Sequence, residues 1–190
     1  LPFRVWDSFK DGKRSQLILA EVATGKTTDL IRGDYDVPPI DLGGNQDFCF
    51  SSDGKTIAFT MNQERNIAWS TNNDVFLMPS AGGEPKKIST SSGSDNQPVY
   101  SPDGKYIAFR SMKRAGYEAD KQDLVIYETA SGRLVNLTEK FDRSAGDVAW
   151  SRDSKTIYFN ADDQGYRPIY QIALAGGEPK KLTDKTFDVL

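Results

Sequence analysis

The 190-residue chain contains no histidine. That absence removes the base of any Ser-His-Asp or Cys-His mechanism carried by these residues alone, and with it the commonest metal ligand. One cysteine, Cys49, cannot form an internal disulfide, and its place in the apolar run DFCF reads as a buried thiol rather than a nucleophile. No apolar run approaches the roughly 18 residues that a membrane-spanning helix needs, so no membrane partner is expected. A net charge of −3 without a basic stripe sets nucleic acid aside as well. Long helical periodicity is also missing. The opening LPFRVW has neither an initiator Met nor a signal-like segment, and we expect the chain to be cut from something longer.

What the sequence has is repetition. FSSDGKTIAFT begins at Phe50, YSPDGKYIAFR at Tyr100 and WSRDSKTIYFN at Trp150. Short apolar runs are keyed to this phrase at 17–22, 75–80, 124–129 and 169–174. Each is followed by a further apolar landmark at Leu30, Ile88, Leu137 or Leu182, with turn sequences such as ATGK, ASGR and AGGEPKK between. Each unit therefore reads as four short strands, A to D. Pro102 suits the second place of the A–B turn, Asp103 can bond the backbone ahead of it, and Gly104 supplies the positive φ that closes the hairpin. In the third copy Ser154 replaces that glycine, at a strain of about 1 kcal/mol if the backbone is unchanged.

Four antiparallel strands at about 50 residues per repeat define a β-propeller blade, whereas a β-solenoid coil is shorter and parallel. The predicted fold is all-β. Three full blades fall at 41–90, 91–140 and 141–186, with a partial blade at 1–40 and the start of another at 187–190. The chain is then part of a larger ring or, less favoured, a four-bladed ring sealed by its own C-terminus. A partial ring exposes blade faces and strand edges, so self-association of the isolated piece is expected.

Antiparallel connection places the A–B and C–D turns on one face and the B–C and D–A connections on the other. The first face is monotonous. The second is where the repeats disagree, and loops on a rigid scaffold are where binding residues concentrate. Its carboxylates are Asp34, Asp36, Asp41, Glu64, Glu118, Asp120, Asp162 and Asp163, among the aromatics Tyr35, Trp69, Tyr117 and Tyr166. One reading is an acidic rim for a cationic group such as a peptide N-terminus. The other is a solvated surface, with Glu118 and Asp120 paired to Arg110, Lys113, Arg114 or Lys121. A calcium loop at Ser-x-Asp-Gly is disfavoured, because one carboxylate per turn falls short of the roughly 6–8 oxygens calcium takes. The LGG and AGG stretches lack the Gly-Lys-Ser/Thr ending of a phosphate loop. No cofactor or metal is expected.

The repeated aromatic-Ser-x-Asp-Gly/Ser-Lys phrase resembles the WD40-like repeat of TolB and of prolyl oligopeptidase-type serine peptidases. WDSFKDGKRSQL (6–17), GDYDVPPIDLGG (33–44) and FRSMKRAGYEADKQDLVIYE (109–128) resemble the propeller of dipeptidyl peptidase V and acylaminoacyl-peptidase-like enzymes. Gln16 departs from the His that the family is expected to favour. The resemblance implies an α/β-hydrolase domain in the parent protein, with a Gly-x-Ser-x-Gly serine and a later Asp and His, none of which occurs in this chain. It implies a non-catalytic propeller that gates the active site, a peptide substrate, and a periplasmic or secreted location. By position, Glu118, with Asp120 and Tyr117 beside it, is the candidate holder of the substrate's N-terminal end. The competing reading is a TolB-like periplasmic propeller that binds another protein.

Overall fold

A computed structural model of the chain describes residues 13–39 and 47–184. The expected partial blade at 187–190 and the candidate Asp41 lie outside the described residues. Fourteen strands and a single 3₁₀ turn, Ile67–Trp69, make up the regular structure of the described residues. β1 (Ile18–Ala20) and β2 (Thr27–Asp29) form a two-stranded sheet. The first four-stranded sheet contains β3 (Phe48–Phe50), β4 (Thr56–Met61), β5 (Asp74–Pro79) and β6 (Lys86–Lys87). The second contains β7 (Asp95–Tyr100), β8 (Tyr106–Ser111), β9 (Asp123–Glu128) and β10 (Leu134–Asn136). In the third are β11 (Val148–Trp150), β12 (Thr156–Asn160), β13 (Ile169–Ala173) and β14 (Lys180–Lys181). Each is an antiparallel meander in sequence order, and the fold is that of propeller blades.

The second strand of the first and second blades is buried on both faces, because a neighbouring sheet covers each side, whereas in the third blade burial alternates along the strand. Ile57, Ala58 and Phe59 are consecutive, and all are at most 1% exposed. Their alternation sorts them between neighbours rather than between core and water. Ile57 and Phe59 pack with Leu17, Leu30 and Ile31 from the β1–β2 side, while Ala58 and Val75 pack with Ile107 and Phe109 of the second blade. The same division recurs one blade on, where Ala108, Leu124 and Ile126 meet Ile157, Phe159 and Ile172.

The repeated phrase is a hydrogen-bonding recipe. Ser51, Ser101 and Ser151 donate to Asp53, Asp103 and Asp153 at 2.7, 2.6 and 2.6 Å. Those carboxylates accept the amides of Lys55, Lys105 and Lys155 at 3.0, 3.1 and 3.1 Å. The turn consumes its own aspartate. Ser154 keeps the glycine backbone, with φ 58°, and its buried Oγ accepts the Asp103 amide of the preceding blade at 3.1 Å. The aromatics opening the second and third phrases also reach backwards. Tyr100 OH bonds Thr56 Oγ1 at 2.7 Å, and Trp150 Nε1 donates to the Val99 carbonyl at 3.1 Å. Beyond each fourth strand, Ser89, Thr138 and Thr183 accept the amides of Val75, Leu124 and Ile169, closing the blade's outer edge.

Candidate functional site: a polar cleft on the variable-loop face

The three candidate residues share the β8–β9 loop but hold different positions in it. Asp120 is the loop's latch. Its Oδ2 accepts the Lys113 and Arg114 amides at 3.0 and 2.8 Å, and its Oδ1 accepts Nε and Nη2 of Arg114 at 2.9 and 2.8 Å. The Arg114 guanidinium holds the Asp120 carboxyl at about 2, below the ordinary carboxylate range. That guanidinium also covers the Tyr117 ring, 4.0 Å from its centroid, leaving the ring 46% exposed at the rim. Among the described residues, Glu118 alone of the three makes no hydrogen bond or ion pair. It is exposed and lines a cleft.

That cleft, of about 350 Å³, lies between the second and third blades. Its charged lining is Arg110, Glu118, Asp120, Asp147, Asp162 and Arg167, with Gln122 and Asn160 among the neutral groups. It continues into a wider depression of about 680 Å³ bordered by Asn62, Asn73, Asn96 and Gln97 of the preceding blade junction. Arg110 Nε donates to Asn96 Oδ1 at 3.0 Å. Asn160 donates to Asp147 Oδ2 at 3.1 Å and accepts the Asp147 amide at 3.0 Å, so the cleft wall is pinned to strand β12. A Cβ at Gly146 would come within 1.8 Å of Asn160 Oδ1, which is why the chain narrows to glycine here.

The acidic rim read from the sequence is largely neutralised. Asp34 and Asp36 both bond Arg14, at 2.6 and 3.1 Å, and Asp36 is buried. Glu64 accepts from Asn72, and Asp162 from Arg167 at 2.9 Å. Asp163 is buried between Lys181, Arg143 and the Tyr170 hydroxyl, and Lys181 and Arg143 hold its carboxyl at about 2. Tyr35 packs against the first core cluster, whereas Trp69 and Tyr166 are exposed. The cleft is therefore of mixed charge: of its basic half, sequence reasoning named Arg110 only as a possible partner of Glu118 and Asp120, and it missed Arg167. A signal existed: Arg110 ends the one otherwise constant phrase at a position that is Thr60 and Asn160 in the other copies. Among the described residues no group of three or more His, Cys, Asp or Glu is arranged to hold a metal ion.

The chain is 34% identical over 171 residues to dipeptidyl-peptidase 5 of Porphyromonas gingivalis, a match covering 88% of the chain. The chain is homologous to one segment of dipeptidyl-peptidase 5. It spans about a quarter of that relative's length, 25%, and 20% of probable dipeptidyl-peptidase 5 of Arthroderma benhamiae, to which it is 34% identical over 147 residues, 71% of the chain. The resemblance read from the three sequence segments is thereby borne out. No protein-family profile matches the sequence. Among solved structures, a TolB of Agrobacterium tumefaciens superposes with a TM-score of 0.71 at 21% identity, covering 92% of this chain and 57% of that one. A puromycin-hydrolysing peptidase of Mycobacterium tuberculosis gives 0.66 at 18% identity, covering 97% and 30%. These two likenesses carry the fold, and the fold is the expected propeller.

Proposed function

We propose that the chain is propeller from a serine exopeptidase of dipeptidyl or acylaminoacyl type, and that its variable-loop face gates the active site and positions the substrate's N-terminus. The observation that carries this reading is the 34% identity to dipeptidyl-peptidase 5 over 171 residues. The unengaged carboxylate of Glu118, held in the polar cleft, supplies the chemistry. Without histidine or a Gly-x-Ser-x-Gly, these residues cannot perform acyl transfer, so the nucleophile and its base belong to an α/β-hydrolase domain elsewhere in the parent. Periplasmic or secreted placement follows from the same resemblance.

In this reading Asp120 fixes the loop through Arg114, Tyr117 forms its rim, and Glu118 meets the substrate's α-ammonium. A charge-assisted hydrogen bond of this kind is worth roughly 1.5–3 kcal/mol in a partly dry cleft. It favours free amines over blocked ones. In the parent enzyme, Glu118→Gln should raise KM severalfold for dipeptidyl substrates while leaving kcat and the KM of N-acylated analogues little changed. An unchanged KM for free-amine substrates retires the role.

A second reading is a TolB-like propeller that binds another protein, supported by the higher TM-score to TolB, 0.71 against 0.66. The parent reading frame separates the two. A Gly-x-Ser-x-Gly followed by Asp and His supports the peptidase, whereas further blades alone support the adaptor.

A further inference from the structure

The repeats disagree at one buried position that borders the candidate cleft. Three residues before the aromatic of each phrase the chain has Asp47, Gln97 and Asp147. The two aspartates are satisfied within the fold. Asp47 accepts the Thr60 hydroxyl at 3.0 Å and the Gln97 backbone amide at 3.1 Å, and Asp147 accepts Asn160 Nδ2 at 3.1 Å. Gln97 is the exception. It sits where the register of β7 shifts, between Asn96 and Val99, at φ 54°, a left-handed conformation that strains any residue but glycine. Such an irregularity re-aims a side chain. Gln97 is only 8% exposed, yet its side-chain amide has no hydrogen-bond partner among the described residues. Burial on this strand does not enforce that: Asp95, two residues earlier and fully buried, is met by the Ser91 hydroxyl at 2.9 Å.

Gln97 lines the wider depression of about 680 Å³, together with Gln122 and Glu118. The asparagines there are occupied with one another. Asn62 Nδ2 donates to Asn73 Oδ1 at 3.3 Å, Asn73 and Asn96 donate to Ser94 Oγ at 3.3 and 3.2 Å, and Asn96 Oδ1 takes Arg110 Nε. Gln122 is held by its backbone. Its amide donates to Ser144 Oγ at 3.1 Å and its carbonyl accepts the Ala145 amide at 2.8 Å, while its side-chain Oε1 is buried without a partner. Open hydrogen-bonding capacity therefore falls to two carboxamides and the Glu118 carboxylate. A buried polar group without a partner is costly, and two of them in one depression point to a ligand that completes them. Both glutamines are presented from pinned backbone, as a recognition site requires.

We propose that this depression receives the side chain of the substrate's first residue, and that Gln97 and Gln122 select a carboxamide there, asparagine or glutamine. The inference rests on the peptidase reading, in which Glu118 holds the substrate's α-ammonium. In that reading the main chain runs from Glu118 toward the nucleophile, so the first side chain is the group left to enter the depression. A carboxamide carries both donors and an acceptor, and so does each glutamine, so the groups pair in both senses. An apolar side chain of the same size leaves both glutamines desolvated and unpaired. A carboxylate of the same size has no donor for Gln122 Oε1 and adds a second negative charge to the depression that holds Glu118.

The test is kcat/KM of the parent enzyme for three p-nitroanilides with near-isosteric first residues: asparaginyl-alanine, leucyl-alanine and aspartyl-alanine. The asparaginyl substrate should exceed both others by about tenfold or more. Gln97→Met and Gln122→Met should each collapse the asparaginyl-to-leucyl ratio toward one. A ratio is unaffected by a general loss of folded enzyme, because both substrates meet the same population, and either substitution serves if the other does not fold. Equal values for asparaginyl and leucyl substrates, a preference for the aspartyl substrate, or a ratio that survives in either active variant overturns the pocket and leaves the peptidase reading standing. The aspartyl preference would assign recognition to Arg110 and Arg167 instead. No turnover of any of the three removes the peptidase reading and this inference with it.

Discussion

The two ends of the blades follow different rules. At the turn end, three Ser-x-Asp turns reproduce the same hydrogen bonds, and each rests on its neighbour: Ser154 Oγ takes the Asp103 amide, and a Cβ at Gly104 would come within 3.1 Å of Ser52 Oγ. At the loop end no two connections share a pairing. Arg14 holds Asp34 and Asp36, Arg114 holds Asp120, and Arg143 with Lys181 holds Asp163. Residues at the turn end should therefore be exchangeable between repeats, while each residue at the loop end answers only to its own partners.

The largest effect expected from this contrast is at Asp95, on the loop end. Its folded-state pKa of about 6 lies above the ordinary 3.8, so its contribution is fully present below pH 4 and is lost as pH rises through 6. Asp95→Asn should be more stable than wild type by about 3 kcal/mol above pH 7, with the difference vanishing toward pH 4. Urea titrations across that range check it, and a pH-independent difference would break the assignment. The turn end should give smaller numbers. Ser154→Ala keeps the positive φ and loses the bond to Asp103, at about 1 kcal/mol. Ser154→Gly restores the residue of the other copies and should fall within about 0.5 kcal/mol of wild type, because shed strain offsets the lost bond. A large loss in Ser154→Gly would show that the turns are not exchangeable. Smallest in stability is Arg114→Ala, because solvent screens an exposed pair. Its expected signature is faster proteolysis between 113 and 120, and unchanged cleavage would show that the Asp120 latch does not hold the loop.

Why the sequence disclosed one end and not the other follows from the same contrast. Strands, hairpins and the faces on which turns and loops lie were legible, since each phrase carries its own turn chemistry within five residues, from Ser101 to Tyr106 for example. Even the strained turn at Ser154 was visible as a departure from glycine. The ion pairs were not legible, because Asp36 pairs with Arg14, 22 residues away, and Asp163 with Arg143 and Lys181, 20 and 18 away on opposite sides in sequence. Separations of that size have no local pattern. Asp120 and Arg114 were near enough to suspect, yet Arg110, Lys113 and Lys121 were equally plausible partners by distance along the chain. Lys121 in fact donates to the carbonyls of Thr138, Glu139 and Phe141, gathering the next connection instead.

The backward reach of the phrase aromatics has a consequence for how the chain acquires its structure. Tyr100 closes on Thr56, 44 residues earlier, and Trp150 on Val99, 51 residues earlier. Every such closure waits for one repeat and no longer. As a ribosome delivers the chain, each new inner hairpin finds its seat already built, and no contact of this kind need span more than a single blade. The search for native pairings then stays of constant length however many blades the ring contains, which is how an all-β protein escapes part of the slow folding that its non-local strands would otherwise impose.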